Sequence, residues 1–198
     1  MNGSPLPSRD ALDALASLLE YPGEGFDARA KAALAVLARE APALAQACEV
    51  VAAGGDGLQE VYARTFDWSE ERSLDLGWHL YGERYERGAF LVSMRSRLRA
   101  AGVEEGEELP DHLTALLRAL GRMSAAEAAA FCAAILAPAL SKLVAGFERV
   151  DACPYRAPLV ALLALVRETG ETAAALAPRP VLASGPASRL APPNGGAS

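Results

Sequence analysis

Apolar residues recur along this chain at the spacing of one face of an α-helix, from near its start to about residue 176. Leu12, Leu15, Ala16 and Leu19 fall at i, i+3, i+4 and i+7. Ser8 is positioned to cap this first helix, and Tyr21-Pro22-Gly23 to stop it, because proline disfavours helix in the residue before it. A second helix is predicted over about 27–40, with Leu34 and Leu37 inward, and Pro42 separates it from an alanine-rich third that ends near Gly54-Gly55. Leu58, Val61, Tyr62 and Phe66 mark a fourth; Leu74, Trp78 and Tyr81 a fifth; Phe90, Met94, Leu98 and Ala101 a sixth, closed by Gly102.

Residues 104–108 hold four carboxylates in five positions, which predicts an exposed, mobile loop. Leu109-Pro110-Asp111 then opens a seventh helix, with Leu113, Leu116, Leu117 and Leu120 inward. Ser124-Ala125-Ala126-Glu127 reads as a capping box for the next helix, which Pro138 must kink or split. Its continuation carries Leu140, Leu143, Val144 and Phe147. After Cys153-Pro154, Leu159, Leu162, Leu163 and Val166 give the last helical face. No strand alternation of useful length and no internal repeat occurs. The expected architecture is all-α, a single-domain multi-helix bundle over 8–176. Residues 177–198 are expected to be a disordered tail, because eleven of the 21 residues from Pro178 are Pro, Gly or Ser.

Composition narrows the function classes. The net charge is −6 with a pI near 5.0, which argues against a nucleic-acid footprint and suits either solubility or a basic partner. The N-terminus lacks the basic and apolar regions of a signal peptide. Apolar stretches read as too short to cross a bilayer, interrupted by Pro138 or by charges. A cytoplasmic location without membrane insertion is expected. Three scattered cysteines, Cys48, Cys132 and Cys153, form no C-x-x-C pair, and His79 and His112 are the only histidines. Neither a catalytic constellation, a metal set nor a phosphate-binding loop stands out, so no enzyme activity, metal or cofactor is expected.

Two regions invite a binding reading. Half of the chain's aromatics (five Phe, two Trp and five Tyr in all) lie in 62–88, among them Tyr62, Phe66, Trp68, Trp78, Tyr81 and Tyr85. They serve either as core or as the lining of a groove for an amphipathic peptide helix. In the second case Glu70, Glu71, Arg72, Asp75, Glu83, Arg84, Glu86 and Arg87 form the rim. At Pro110-Asp111-His112, Asp111 either caps the seventh helix with His112 on the surface or in a gap, or the three residues make a hinge and partner contact.

Tyr62-Ala63-Arg64-Thr65-Phe66-Asp67, Arg72-Ser73-Leu74 and the 82–88 stretch with Arg84, Arg87 and Gly88 resemble the signature region of the NarJ family. Ala100-Ala101-Gly102, Leu109-Pro110-Asp111-His112-Leu113 and the earlier Leu18-Leu19-Glu20-Tyr21-Pro22 continue the resemblance in order, over most of 12–120. Glu83 and Tyr85 depart from the family pattern, and beyond Ser124 only helical character matches. The related TorD and DmsD chaperones carry a similar Pro-Asp-His motif between two helical halves. The resemblance implies a TorD/NarJ-like helical chaperone that assists nitrate assimilation by binding an unfolded or immature client. The client would be the apo catalytic subunit of a respiratory nitrate reductase (its alpha chain), held by its N-terminal segment until the molybdenum cofactor is inserted. It also implies partner contacts at Tyr62, Phe66, Asp67, Trp78, Arg84, Arg87, Pro110, Asp111 and His112. A chaperone for another molybdopterin oxidoreductase, a helical adaptor for an unrelated partner and a small helical enzyme remain the alternatives.

Overall fold

A computed structural model describes residues 6–150 and 152–176, with side chains to 172; the tail expected at 177–198 lies outside them. Over the described residues the chain is all-α, as its periodicity predicts. The first helix, α1 (Arg9–Leu18), starts where Ser8 Oγ accepts a hydrogen bond from Ala11 N at 3.2 Å. Its buried face carries Leu12, Leu15 and Leu18. Burying one such side chain contributes about 1.5–3 kcal/mol.

Gly25 takes φ +71°, a left-handed conformation that turns the chain into α2 (Phe26–Glu40). Leu37 is buried on α2, and Leu34 is only half-buried. Pro42 then begins α3 (Pro42–Ala52), at the position where its missing N–H costs nothing. Here α2 packs between α1 and α3, and α1 also packs on α7 (Leu113–Leu120). Arg122, just past α7, forks onto Asp13 of α1 at 2.8 and 3.0 Å.

The fourth helix, α4 (Leu58–Tyr62), widens into a π-helical turn over Ala63–Asp67. Two further helices come next, the short α5 (Leu76–Tyr81) and the longer α6 (Glu86–Ala100). The predicted capping box is present: Ser124 and Glu127 exchange side-chain and backbone bonds at the start of α8 (Ala125–Phe131).

Pro138 neither splits nor ends the helical run that α8 begins. A second π-helical turn, Cys132–Leu136, leads directly into α9 (Ala137–Ala145). Ala137 N donates to Cys132 O, five residues back, and the wider turn relieves the proline ring's clash with the preceding carbonyls. Ala125–Ala145 is therefore one continuous 21-residue helix, long and apolar enough by composition to cross a membrane. That corrects the expectation of short, interrupted apolar runs. Its Phe131, Leu136, Leu140 and Leu143 are buried, and α10 (Arg156–Leu176) packs along it and on α3.

The two halves of the sequence meet in a knot of aromatic rings. Tyr62 and Phe66 stand edge-on to each other at 4.9 Å between centroids. Tyr155, the largest fully buried side chain, meets Tyr62 at 5.6 Å and Phe66 at 5.0 Å, and Phe147 meets Phe66 at 6.5 Å. These T-shaped contacts each add about 0.5–1.5 kcal/mol to the burial of the rings.

Candidate functional site

The segment before α5 and the segment before α7 lie side by side. Leu76 N donates to Asp111 O at 3.0 Å and Leu113 N to Leu74 O at 2.8 Å, forming an antiparallel bridge between Asp75 and His112. Asp111 is fully buried. Its Oδ2 accepts from Gly77 N at 2.8 Å. Asp111 thus caps α5 from across the fold. The expected cap on α7 is absent: His112 occupies that N-cap position and makes no side-chain capping bond.

Burial raises the Asp111 carboxyl above its ordinary range, against the Gly77 bond and the Arg87 charge that lower it. Its Oδ1 has no hydrogen-bond partner. His112 is also buried, at 6% exposure, and so is not a surface residue. Its Nδ1 lies 2.7 Å from Thr114 Oγ1. Burial, with the nearby Arg118 charge, pulls its pKa down to about 4, so the ring is neutral near pH 7.

Above this bridge lies a cavity of about 300 Å³. Tyr62, Phe66, Leu74 and Trp78 supply its apolar surface, and the first two are each 4% exposed. Asp67, Glu70, Asp75 and Glu108 place carboxylates around it. Among the described residues, Arg87 is its one arginine or lysine. Arg87 lies over the Trp78 ring at 5.3 Å and reaches Asp75 Oδ2 at 3.4 Å. Burial, then the Asp111 charge, pushes Asp75 up to about 6, although Arg87 opposes the shift. Burial also raises Asp67, and burial followed by the Asp67 charge raises Glu108.

A second cavity of about 570 Å³ adjoins the first, sharing Tyr62, Glu108 and His112 with it. Tyr21, Leu109 and Pro110 line one part of it, and the acidic loop 104–108 forms a wall. The loop is exposed, as expected, but tethered: Glu105 pairs with Arg95 at 2.8 Å and Arg99 at 2.9 Å. Together the cavities make one groove with an aromatic floor and an acidic wall.

Of the nine residues singled out from the sequence, Tyr62, Phe66, Asp67, Trp78, Arg87 and His112 meet at the first cavity. Pro110 lines only the second, and Asp111 sits behind both. Arg84 stands apart, donating to Tyr81 O and Leu80 O at 2.9 Å, where it satisfies carbonyls at the end of α5. The expected charged rim is likewise only partly assembled. Glu70, Asp75 and Arg87 line the groove, whereas Arg72 turns away to Thr65 O and Gly146 O. Sequence reasoning missed Glu108 as a lining residue and Gly77 as the recipient of the Asp111 cap. Glu108 had a signal in its acidic run; Gly77 had none, because its partner is 34 residues away.

Among the described residues, no group of three His, Cys, Asp or Glu side chains is placed to hold a metal ion. A search of curated proteins finds no match to the chain. A family model described as nitrate reductase delta subunit matches residues 12–158.

Proposed function

The chain belongs to the nitrate reductase delta subunit family, and from that premise we propose that it is a dedicated assembly chaperone of a molybdenum reductase. It binds the N-terminal segment of the apo catalytic subunit in the groove beside the Asp75–His112 bridge. It holds that subunit in the cytoplasm until the molybdenum cofactor is inserted, and it performs no chemistry. The observation that supports this reading is the groove: two joined cavities that share Tyr62, the first also lined by Phe66, large enough for side chains of an amphipathic helix. Binding stabilises the immature client by mass action and withholds it from competing association.

The acidic wall repels a segment rich in carboxylates, so the groove favours one with basic as well as apolar residues. The test is calorimetric titration of the full chain with a peptide copying the first residues of the nitrate reductase catalytic subunit from the same genome. Saturable one-to-one binding, weakened when Trp78 is replaced by Ala in a variant that melts normally, is expected. No binding to that peptide, with capture of neither the full catalytic subunit nor its apo form on co-expression, refutes the reading.

A further inference from the structure

Ser69, Glu70, Ser73, Leu74, Asp75 and Trp78 form one wall of the first cavity. The first part of this wall has no anchor in the core. Between buried Phe66 and Leu74, none of the seven residues from Asp67 to Ser73 is buried, and they include a short 3₁₀ turn, Glu70–Arg72. Hydrophobic packing therefore does not fix where the wall stands. Polar contacts with α9 and the residue after it do.

Arg72 lines neither cavity of the groove. Its Nε donates to Thr65 O at 3.1 Å and its Nη1 to Gly146 O at 3.2 Å, with the guanidinium 5.9 Å from the centroid of the Phe147 ring. Thr65 lies in the π-helical run Ala63–Asp67, close to its end, and Gly146 follows α9 directly. One guanidinium thus serves two helix C-termini, where carbonyls lack partners and positive charge is favoured. A lysine ammonium gathers its donors on one atom and lacks the fork that spans two carbonyls. Lys142 of α9 makes a second grip. Its Nζ donates to His79 O at 2.6 Å, near the end of α5. His79 passes the contact on. Its Nε2 lies 2.7 Å from Ser73 O, and because a carbonyl only accepts, Nε2 is the donor. Both grips end on the wall, Arg72 beside Ser73 and Lys142 through His79, which adjoins Trp78.

We propose that Arg72 and Lys142 are positioning residues for client binding, which hold the wall from Ser69 to Trp78 in place without touching the client. This rests on the peptide-binding reading. It adds that the chain beyond Arg122, which among the described residues lines neither cavity, sets where one wall of the groove stands.

The first test needs no client. In 15N spectra of the full chain, Arg72→Ala should displace the Ser69, Ser73 and Asp75 amides and the Trp78 indole, and leave the α2 amides in place. Ethylguanidinium, which supplies the atoms that this substitution removes, should return those signals toward their wild-type positions. Ethylammonium, of equal charge, should not, and Arg72→Lys should stay displaced. Lys142→Met removes one hydrogen-bonding group from an exposed side chain and should displace the His79 amide and the Trp78 indole. It carries the test if Arg72→Ala fails to fold. Unmoved wall signals in a folded variant, or equal rescue by both cations, overturns the proposal.

The second test adds the client peptide. Arg72→Ala should weaken its binding by roughly tenfold, the scale of one lost contact, and ethylguanidinium should restore it. Ser124→Ala, which removes the α8 cap outside the groove, should lower the melting temperature and leave affinity unchanged. That separates a displaced wall from lost stability. Full affinity in folded Arg72→Ala and Lys142→Met, or an equal loss in Ser124→Ala, overturns the proposal and leaves the chaperone reading intact. If the wall signals respond as expected while the wild-type protein binds no peptide, the grip on the wall stands and the chaperone reading falls.

Discussion

Asp111 holds Gly77 across a gap of 34 residues, its Oδ2 accepting the Gly77 amide at 2.8 Å. The bond closes the start of α5, a helix too short to be stable alone. It also fixes Trp78, the next residue, at the edge of the groove. Glycine is required there, since a Cβ at position 77 would collide with Asp111 Oδ2 and come within 2.8 Å of Phe90 Cδ1. Asp111, fully buried, is therefore a positioning residue.

Asp111→Ala should lower stability by about 1–3 kcal/mol, through loss of the cap and an unsatisfied Gly77 amide. Gly77→Ala should cost a similar amount by overpacking. Urea denaturation monitored by far-UV circular dichroism measures both. Wild-type midpoints for both variants would show that the Asp111–Gly77 contact does not bear on the fold.

The same steric argument applies at Gly146, where a Cβ would run into the Glu71 carbonyl and lie 3.1 Å from Arg72 Cγ. Gly146→Ala is expected to melt several degrees lower, whereas Gly88→Ala, with open space around it, should melt as the wild type does. Differential scanning calorimetry distinguishes the two.

Asp75 gives a pH signature with a definite sign. Its folded pKa is raised, to about 6, so the folded state binds more protons than the unfolded one over the window from about pH 4 to 6. Its favourable contribution is complete below the unfolded pKa and is lost as pH rises through the folded value. Asp75→Asn should flatten the stability change between about pH 4 and 6 relative to wild type. Urea midpoints at four pH values across that window are the check; parallel curves would contradict the shift.

His112 works in the opposite sense. With its folded pKa depressed to about 4, its contribution is present above the ordinary histidine value and fades as pH falls from about 6.5 toward 4. Long-range 15N spectra should show a neutral ring at pH 6, and protonation near 6.5 would overturn the assignment.

Deleting 177–198 should leave melting and client binding nearly unchanged. The segment has no apolar periodicity, and the family match ends at residue 158. A large loss of peptide affinity in the shortened protein would show that the tail takes part.

Helix faces and caps were legible because they depend on neighbours in sequence. Leu12, Leu15, Ala16 and Leu19 declare their buried face at helical spacing, and Ser124 and Glu127 declare their cap the same way. Six of the nine site residues were picked out by motif and do share a cavity. Asp111 was misread because the local rule for an aspartate before a helix points to α7, while its partner comes from α5. Arg84 lies outside the cavity for a related reason: a charged residue among aromatics reads as rim, and nothing local reveals that it turns back onto carbonyls of its own turn. At Pro138 the helix runs on rather than splitting, because a π-helical turn ahead of it, invisible to periodicity, accommodates the ring.

The ring knot sets an order of events. Tyr62 and Phe66 floor the groove, yet their edge-on supports are Phe147 and Tyr155, the latter at the threshold of α10. On a ribosome the motifs that mark the groove emerge long before the rings that hold them in place. Until Phe147 and Tyr155 have been made, Tyr62 and Phe66 lack the edges that hold them, so the groove is a product of the whole helical domain rather than of its first half.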